Sequence, residues 1–355
     1  MFFRTMSDVN RYAQDYNVPP VDVMLLGLNL MGVGGFDPKI SPRGRFRMVP
    51  MMFNWPFFFA ITINPESPFF HDGRQVWLGS DLIGEATPIT PDTCSETYYR
   101  KGGRVITLNS NSRSSCRGCQ FCGTFSLIPD DFSDLLQEEN LRRKAQTLLD
   151  DGTMTDYRQI ESIGVVTGCF RDEQECLNHL LMVNRVFGEL GFSGEVRYIG
   201  SQITKRESLE TLSSAGTFAI YLTVECFDRR ELIMKKKKSR VTLEWGREIL
   251  GLAKELGMDT SMLYVLGLDS LESTAREFPK YRTVLTRHPL INVYQLYQPW
   301  QMRLRHSSAQ TLDYYLQARE ILEAAFSEGS WPFGYDNYRS LWYTQYDGVA
   351  IQNPI

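Results

Sequence analysis

Residues 195–225, EVRYIGSQITKRESLETLSSAGTFAIYLTVE, hold two runs rich in β-branched and aromatic residues, Glu195 to Gly200 and Phe218 to Glu225, either side of an amphipathic stretch from Lys205 to Ser214. A strand, a helix and a second strand make one βαβ unit, and the helical crossover lays the two strands parallel. The alternation continues outward in both directions. Strand-like runs stand at Arg104 to Asn109 and Ile160 to Thr167 before this unit, and at Asp259 to Leu266 and Ile291 to Tyr297 after it. Helical patterns separate them. Leu135, Leu136, Leu148 and Leu149 precede the stop at Gly152, and Leu177, Leu180, Leu181 and Phe187 precede Gly191. Others run from Leu243 to Leu256, Glu272 to Arg287 and Thr311 to Phe326.

Six such units predict an α/β protein, a partial (β/α)6 barrel of the TIM type that is open on one side, with chemistry at the C-terminal ends of its strands. The barrel is expected over residues 104–327. Residues 1–103 are rich in Gly, Pro, Met and Phe with weak periodicity, and read as an N-terminal wrapping extension. The strongly aromatic stretch WPFGYDNYRSLWYTQY puts a tail over 328–355 that closes the barrel mouth.

A net charge of -4, with 43% hydrophobic and 23% charged residues over 355 positions, describes a globular chain without a basic field for nucleic acid or anionic lipid. A small-molecule substrate is the expected partner. The start MFFRTMSDVNRY lacks the pattern of a secretory signal, so a cytoplasmic location is expected. The longest apolar run, WPFFFAITI from Trp55 to Ile63, is shorter than the ~20 residues of a membrane helix and reads as core, so no membrane association is expected. The run KKKK at Lys235 to Lys238 reads as a solvated helix start.

Seven cysteines are an odd set, and three of them, Cys116, Cys119 and Cys122, crowd into NSNSRSSCRGCQFCGTFS directly after the first predicted strand, while Cys94, Cys169, Cys176 and Cys226 are scattered. Three thiolates at C-x2-C-x2-C converge on one metal centre, and soft sulfur suits an iron-sulfur cluster or zinc. Structural zinc needs a fourth ligand, and the closest histidine downstream, His179, falls on a predicted helix. Three ligands for four irons leave one iron open.

This loop resembles the cluster-binding loop of the radical S-adenosylmethionine superfamily, whose usual pattern is C-x3-C-x2-C with an aromatic residue before the last cysteine. CQFC supplies the second half, with Phe121 in the aromatic place; the first spacing is one residue short. The resemblance is nearest to the branch of biotin synthase and the hydrogenase maturases. It implies a [4Fe-4S] cluster on Cys116, Cys119 and Cys122, S-adenosyl-L-methionine as cosubstrate, and a one-electron reductase such as flavodoxin or ferredoxin. It places Thr167, Gly168 and Cys169 where the superfamily holds the methionine amino group, although an ordinary βα turn explains them equally. Glu225 takes the place of an acidic residue facing the cosubstrate, with a salt bridge to Arg229 or Arg230 as the alternative. Arg240 is placed to pair with the methionine carboxylate, or is a surface arginine. Val265 and Gly267 match the adenine-binding strand. Gln295 and Tyr297 lie where adenine and substrate are contacted, with barrel packing as the other explanation for Tyr297.

The implied activity is reductive cleavage of S-adenosylmethionine to a 5′-deoxyadenosyl radical that abstracts hydrogen from a small molecule, in a lyase, mutase or maturation reaction. Methyl or other group transfer is a second possibility, and a metal-binding interaction protein without catalysis a third. No second C-x2-C pair and no D-x-H-x-x-G cobalamin signature accompanies the barrel, which disfavours a peptide modifier with auxiliary clusters and a cobalamin enzyme.

Overall fold

The computed structural model describes residues 3–92, 98–100, 104–110, 118–123, 135–150, 156–166, 170–326, 339–345 and 351. The chain opens with helix α1 (Met6–Asp15), whose first turn is capped by Thr5 accepting the Asp8 N–H at 3.3 Å. Helix α2 (Pro20–Met31) starts on a proline, which has no N–H to leave unpaired at that position, and is buried along almost its whole length. Strands β1 (Arg43–Pro50), β2 (Phe57–Thr62), β3 (Phe69–His71), β4 (Gln75–Leu78), β5 (Asp81–Ala86) and β6 (Thr90–Pro91) then form an antiparallel sheet in the order β2-β1-β5-β4-β3, with β6 on β1.

The stretch read as a wrapping extension therefore has regular structure of its own. Its weak periodicity has a physical cause. In β2, Phe57, Phe59, Ala60 and Ile61 are all buried, so both faces of the strand are covered and the apolar/polar alternation that marks a half-exposed strand is lost. The apolar run at Trp55 to Ile63 is core, as its length implied.

The second sheet carries the expected βα alternation. Strand β7 (Tyr98–Arg100) pairs antiparallel with β8 (Val105–Leu108), and from β8 the sheet runs parallel through β9 (Ser162–Val166), β10 (Glu195–Gly200), β11 (Phe218–Glu225), β12 (Asp259–Leu266) and β13 (Leu290–Val293). Its order follows the sequence, and its edge strands β7 and β13 do not pair with each other, so the sheet is open. It also curls. Five strand spacings separate β8 from β13, about 24 Å in a flat sheet. Yet the loops that leave them touch: Gln301 Nε2 donates to Gln120 O at 2.7 Å, and a Cβ on Gly123 would lie 2.4 Å from the Tyr297 ring.

Between the parallel strands lie α3 (Glu138–Asp150), α4 (Glu173–Glu189), α5 (Arg206–Ala215), the short α6 (Arg230–Ile233) and α7 (Lys236–Ser239), α8 (Leu243–Glu255) and α9 (Leu271–Glu277); α10 (Leu312–Phe326) follows β13. Three begin on side-chain caps: Asp172 accepts from Glu175 N at 2.9 Å, and Thr242 and Ser270 accept from Trp245 N and Ser273 N at 3.1 Å each. The helix expected over Glu272 to Arg287 ends early, at Glu277, and continues as a 3-10 turn from Phe278 to Tyr281. Pro279 has no N–H for the next helical bond, and its ring clashes with the preceding turn.

A buried carboxylate holds the described residues 343 and 344 of the tail. Asp22 on α2 accepts the N–H groups of Tyr343 and Thr344 at 2.7 and 3.0 Å, and also bonds the Thr344 hydroxyl and Arg319 of α10. Beside it, Arg339 O accepts the N–H of Val293, extending the edge of β13. Among the described residues no helix is long and apolar enough to cross a membrane.

His179 on α4 is buried against Phe170, its ring centroid 5.5 Å away, and neither ring nitrogen has a hydrogen-bond partner among the described residues. Burial alone lowers its pKa from 6.5 to about 4. In that interval the unfolded chain takes up a proton that the folded chain refuses, so stability is present above about pH 6.5 and drains as pH falls toward 4, on the order of 1 kcal/mol per pH unit. His179→Leu is expected to lessen the slope of urea midpoint against pH between those values, with buried His288, also lowered to about 4, keeping its own share; an unchanged acid slope would show that the His179 ring is not held neutral.

Candidate functional site

Of the cysteine loop that follows β8, residues 118–123 are described, and they lie against the segments after β11 and β13. Cys116 lies outside the described residues, as do Thr167, Gly168 and Cys169; Cys119 and Cys122 lie within them. The CQFC segment is a tight turn in which Cys122 N–H donates to Cys119 O at 3.1 Å. Gly118, just before it, has φ +122, and a Cβ added there would sit 3.2 Å from the Cβ of Lys235; only glycine meets both demands.

Two neighbouring loops hold this turn. Gln120 donates through its N–H to Ile233 O at 2.8 Å and through Nε2 to Leu232 O at 2.9 Å, pinning it to the segment after β11. From the segment after β13, the fully buried Gln301 donates to Gln120 O, while its Oε1 accepts the N–H groups of Tyr297 and Gln298 at 2.8 and 2.9 Å. Lys235 N–H points at Cys119 Sγ across 3.4 Å.

Cys119 and Cys122 are half-buried thiols set in an apolar cluster. Phe121 is buried in it with Ile233, Met234, Leu268, Tyr294 and Leu304, and Val265 at the end of β12 belongs to it too. Cys226 is in the same cluster, its Sγ 3.9 Å from Met234 Sδ. Burial pushes the Cys226 thiol above its usual pKa, and among the described residues it does not gather with two further donors into a metal-holding group. Cys176 is buried in α4, in the main core cluster rather than the one that holds Phe121. Among the described residues no three His, Cys, Asp or Glu side chains gather to hold a metal, Cys116 being outside that set. A cavity of about 380 Å³ opens at the loop, lined by Gly118, Gln120, Trp300 and Arg303.

Glu225 ends β11 in a backbone conformation with φ +68, where the pairing with β12 slips by one residue. A non-glycine residue there is strained, and such strain persists only where surrounding contacts enforce it. The Glu225 carboxylate forms a buried ion pair with Lys238 Nζ at 2.6 Å. Arg229 and Arg230 are not its partners. Arg230 donates to the carbonyls of Val224, Cys226, Lys238 and Val241, and Arg229 to those of Leu268 and Leu304. The lysine run is thus not wholly solvated: α7 turns Lys238 inward while Lys236 and Lys237 stay exposed. Arg240, at the end of α7, is exposed.

Gly267 has φ +112, and a Cβ there would sit 2.8 Å from the Tyr315 hydroxyl; its carbonyl accepts the His306 N–H at 2.8 Å. Asp269, two residues on, is a buried rim residue that no motif in the sequence marks. Its carboxylate accepts the N–H groups of Phe227 and Asp228 at 2.7 and 3.1 Å and the Tyr264 hydroxyl at 2.8 Å, while burial raises its pKa above the usual value. The signal that singles out Glu225, an acid closing an apolar strand, is present for Asp269 as well.

Gln295 lines a cavity together with Tyr297, but its side-chain amide is committed elsewhere. It is locked between Arg43 Nη1, which donates to its Oε1 at 3.0 Å, and Asn29, which accepts from its Nε2 at 2.9 Å, joining the two sheets. Tyr297 is held between two guanidinium groups, Arg43 Cζ at 4.4 Å and Arg339 Cζ at 4.9 Å from its ring centre, and its hydroxyl bonds Arg339.

No protein-family model and no curated protein matches this chain. Among solved structures it is similar to the radical S-adenosylmethionine methyltransferase TsrM from Kitasatospora setae with cobalamin and a [4Fe-4S] cluster bound, at 14% identity and a TM-score of 0.38 over 56% of this chain. It is likewise similar to SuiB from Streptococcus suis bound to S-adenosylmethionine, at 14% identity and a TM-score of 0.35 over 50% of this chain. The matches span 37% of the TsrM chain and 38% of the SuiB chain.

Proposed function

We propose that this chain is an iron-sulfur enzyme of the radical S-adenosylmethionine type, with Cys116, Cys119 and Cys122 as the three ligands of a [4Fe-4S] cluster. In this reading the six parallel strands are the units of a (β/α)6 partial barrel over 104–327, flanked by the N-terminal extension and by the 328–355 tail. The observation that carries it is the CQFC turn: two half-buried thiols in an apolar cluster at the C-terminal rim of a parallel sheet. The donor set fits the group. Sulfur ligands suit iron, the surroundings are apolar, and the Lys235 N–H is placed to donate to Cys119 Sγ, one of the contacts that set a cluster's potential.

When bound, such a cluster with one open iron supplies the electron that splits the sulfonium bond of S-adenosylmethionine. The residues around it bind, orient and dry the site. Phe121, Ile233, Met234 and Tyr294 keep water from the sulfurs. Glu225, held at the rim by Lys238, offers a carboxylate to an ammonium or ribose hydroxyl, while the backbone at Val265 and Gly267 borders the place expected for adenine; Thr167, Gly168 and Arg240 remain candidates for the methionine end. Among catalytic candidates Tyr297 stands next to the cysteine loop, Gln295 serves as a tie between the sheets, and Cys169 keeps the role drawn from the resemblance. A flavodoxin or ferredoxin would deliver the electron.

The test is anaerobic reconstitution with iron and sulfide, followed by dithionite and S-adenosylmethionine. Release of 5′-deoxyadenosine and methionine is the expected result. An iron-loaded protein that leaves the cosubstrate intact would be a metal-binding scaffold, and purified protein rich in zinc would carry a structural site.

A further inference from the structure

A second, larger cavity of about 850 Å³ lies between the two sheets, and none of its lining residues among those described is a cysteine. One wall comes from the N-terminal part, with Leu30, Met31, Pro42 and Ile63; the other comes from the segment after β13, with Leu296, Tyr297, Met302 and Arg305. Its size is that of a pocket for a small organic ligand. Its walls are mostly apolar.

Among the described wall residues Arg305 is the buried cation, 8% exposed. Among the described residues four arginines are buried to this degree, and the other three are accounted for. Arg43 pairs with Asp92 at 3.0 Å, Arg319 with Asp22 and Glu323, and Arg230 is surrounded by four carbonyls. Arg305 has a single side-chain hydrogen bond, from Nη2 to Tyr294 O at 3.4 Å, and its guanidinium carbon lies 6.0 Å from the Tyr294 ring centre. Its Nε has no partner, and among the described residues no carboxylate comes within ion-pair distance. A charged group buried this deeply without a counterion is unfavourable. A counterion from outside the chain resolves this.

We infer that the cavity binds a monocarboxylate with an apolar body, its carboxylate on the Arg305 guanidinium and its body along Leu30, Met31, Ile63 and Leu296. A monoanion is favoured over a dianion because the other charged wall residues, Arg4 and Glu66, are exposed and of opposite sign, leaving one inward-facing cation among the described wall residues. Tyr297 connects this cavity to the chemistry: it lines the wall, and its ring packs against Gly123, the residue after Cys122. That the carboxylate is the substrate of the cysteine loop rests on the reading above; the binding does not.

The experiment is calorimetric titration of the full chain with octanoate and with 3-phenylpropionate, each against its neutral amide and against inorganic phosphate, with and without reconstituted iron and with iron content measured on every sample. The acids are expected to bind about tenfold or more tightly than their amides, as a charge-assisted hydrogen bond implies. Arg305→Met should erase that preference without changing iron content, and Arg305→Lys should keep part of it. Should Arg305→Met fail to fold, Met302→Trp, a change at a half-exposed wall residue, fills the cavity instead and should block the acids with an unchanged melting temperature. Equal binding of acid and amide, wild-type binding by Arg305→Met, or undiminished binding by Met302→Trp would overturn the inference. Phosphate binding as tightly as the acids would overturn the monocarboxylate assignment. Absence of iron with the acid preference intact would sink the cluster reading alone.

Discussion

Cys122→Ala is expected to reduce the iron retained after anaerobic reconstitution to near background and to abolish cleavage of S-adenosylmethionine. Three sulfurs are the whole protein ligand set in this proposal, so losing one leaves a cluster with two anchors and a second open iron. Cys122 is also held in the turn by its N–H bond to Cys119 O, and an alanine there keeps that bond and the fold. The matched control is Cys226→Ala. That thiol is buried in the same apolar cluster but is outside the three-cysteine loop and bonds Met234 Sδ, so its removal should leave iron content at the wild-type level and lower stability by about 1 kcal/mol through the lost packing. Elemental analysis of the two variants side by side separates ligation from simple proximity. Equal iron in both would remove Cys122 from the ligand set.

The second large effect concerns the rim rather than the sulfurs. Lys238→Met strands the Glu225 carboxylate, buried and already strained at φ +68, without its partner. Breaking a buried pair from one side destabilises a protein by about 3–5 kcal/mol, because the remaining charge is uncompensated. The double variant Glu225→Gln with Lys238→Met removes the charge altogether and should recover most of that loss in urea unfolding. A single variant as stable as the wild type would mean that the carboxylate is reached by water or another cation. In the cluster reading, the single variant should also weaken S-adenosylmethionine binding, since Lys238 is what holds the carboxylate at the strand end.

The two central strands and the one beside them were readable to the residue. Glu195–Gly200, Phe218–Glu225 and Asp259–Leu266 are apolar runs bounded by turn residues, and in a parallel sheet covered on both faces such a run is the strand itself. The strand expected over Ile291 to Tyr297 stops at Val293 for a reason no local pattern contains. Gln295 then turns toward Arg43 and Asn29, more than 250 positions away in the chain, and Tyr297 N–H goes to the Gln301 side chain. In the N-terminal sheet β2 hid likewise, because both of its faces are covered and its apolar residues do not alternate.

At the site, the loop was visible because three cysteines in seven positions have no common structural explanation. Its supports were not. Gln301 is an ordinary glutamine in the sequence, and only the approach of the β13 segment to the cysteine turn gives it a role. Lys238 is one of four consecutive lysines, so its burial depends on which face of a four-residue helix meets Glu225. Arg305 looks like any basic residue near RLRH, and its lack of a counterion is apparent only from the cavity wall it shares.

The central claim is that one iron held by this loop has a free coordination position that S-adenosylmethionine fills. Electron paramagnetic resonance of the dithionite-reduced, reconstituted protein, recorded before and after the cosubstrate is added, reads that position directly. A reduced-cluster signal whose g-values shift on addition is the predicted result. A signal indifferent to S-adenosylmethionine, or a protein that takes up no iron, would contradict it.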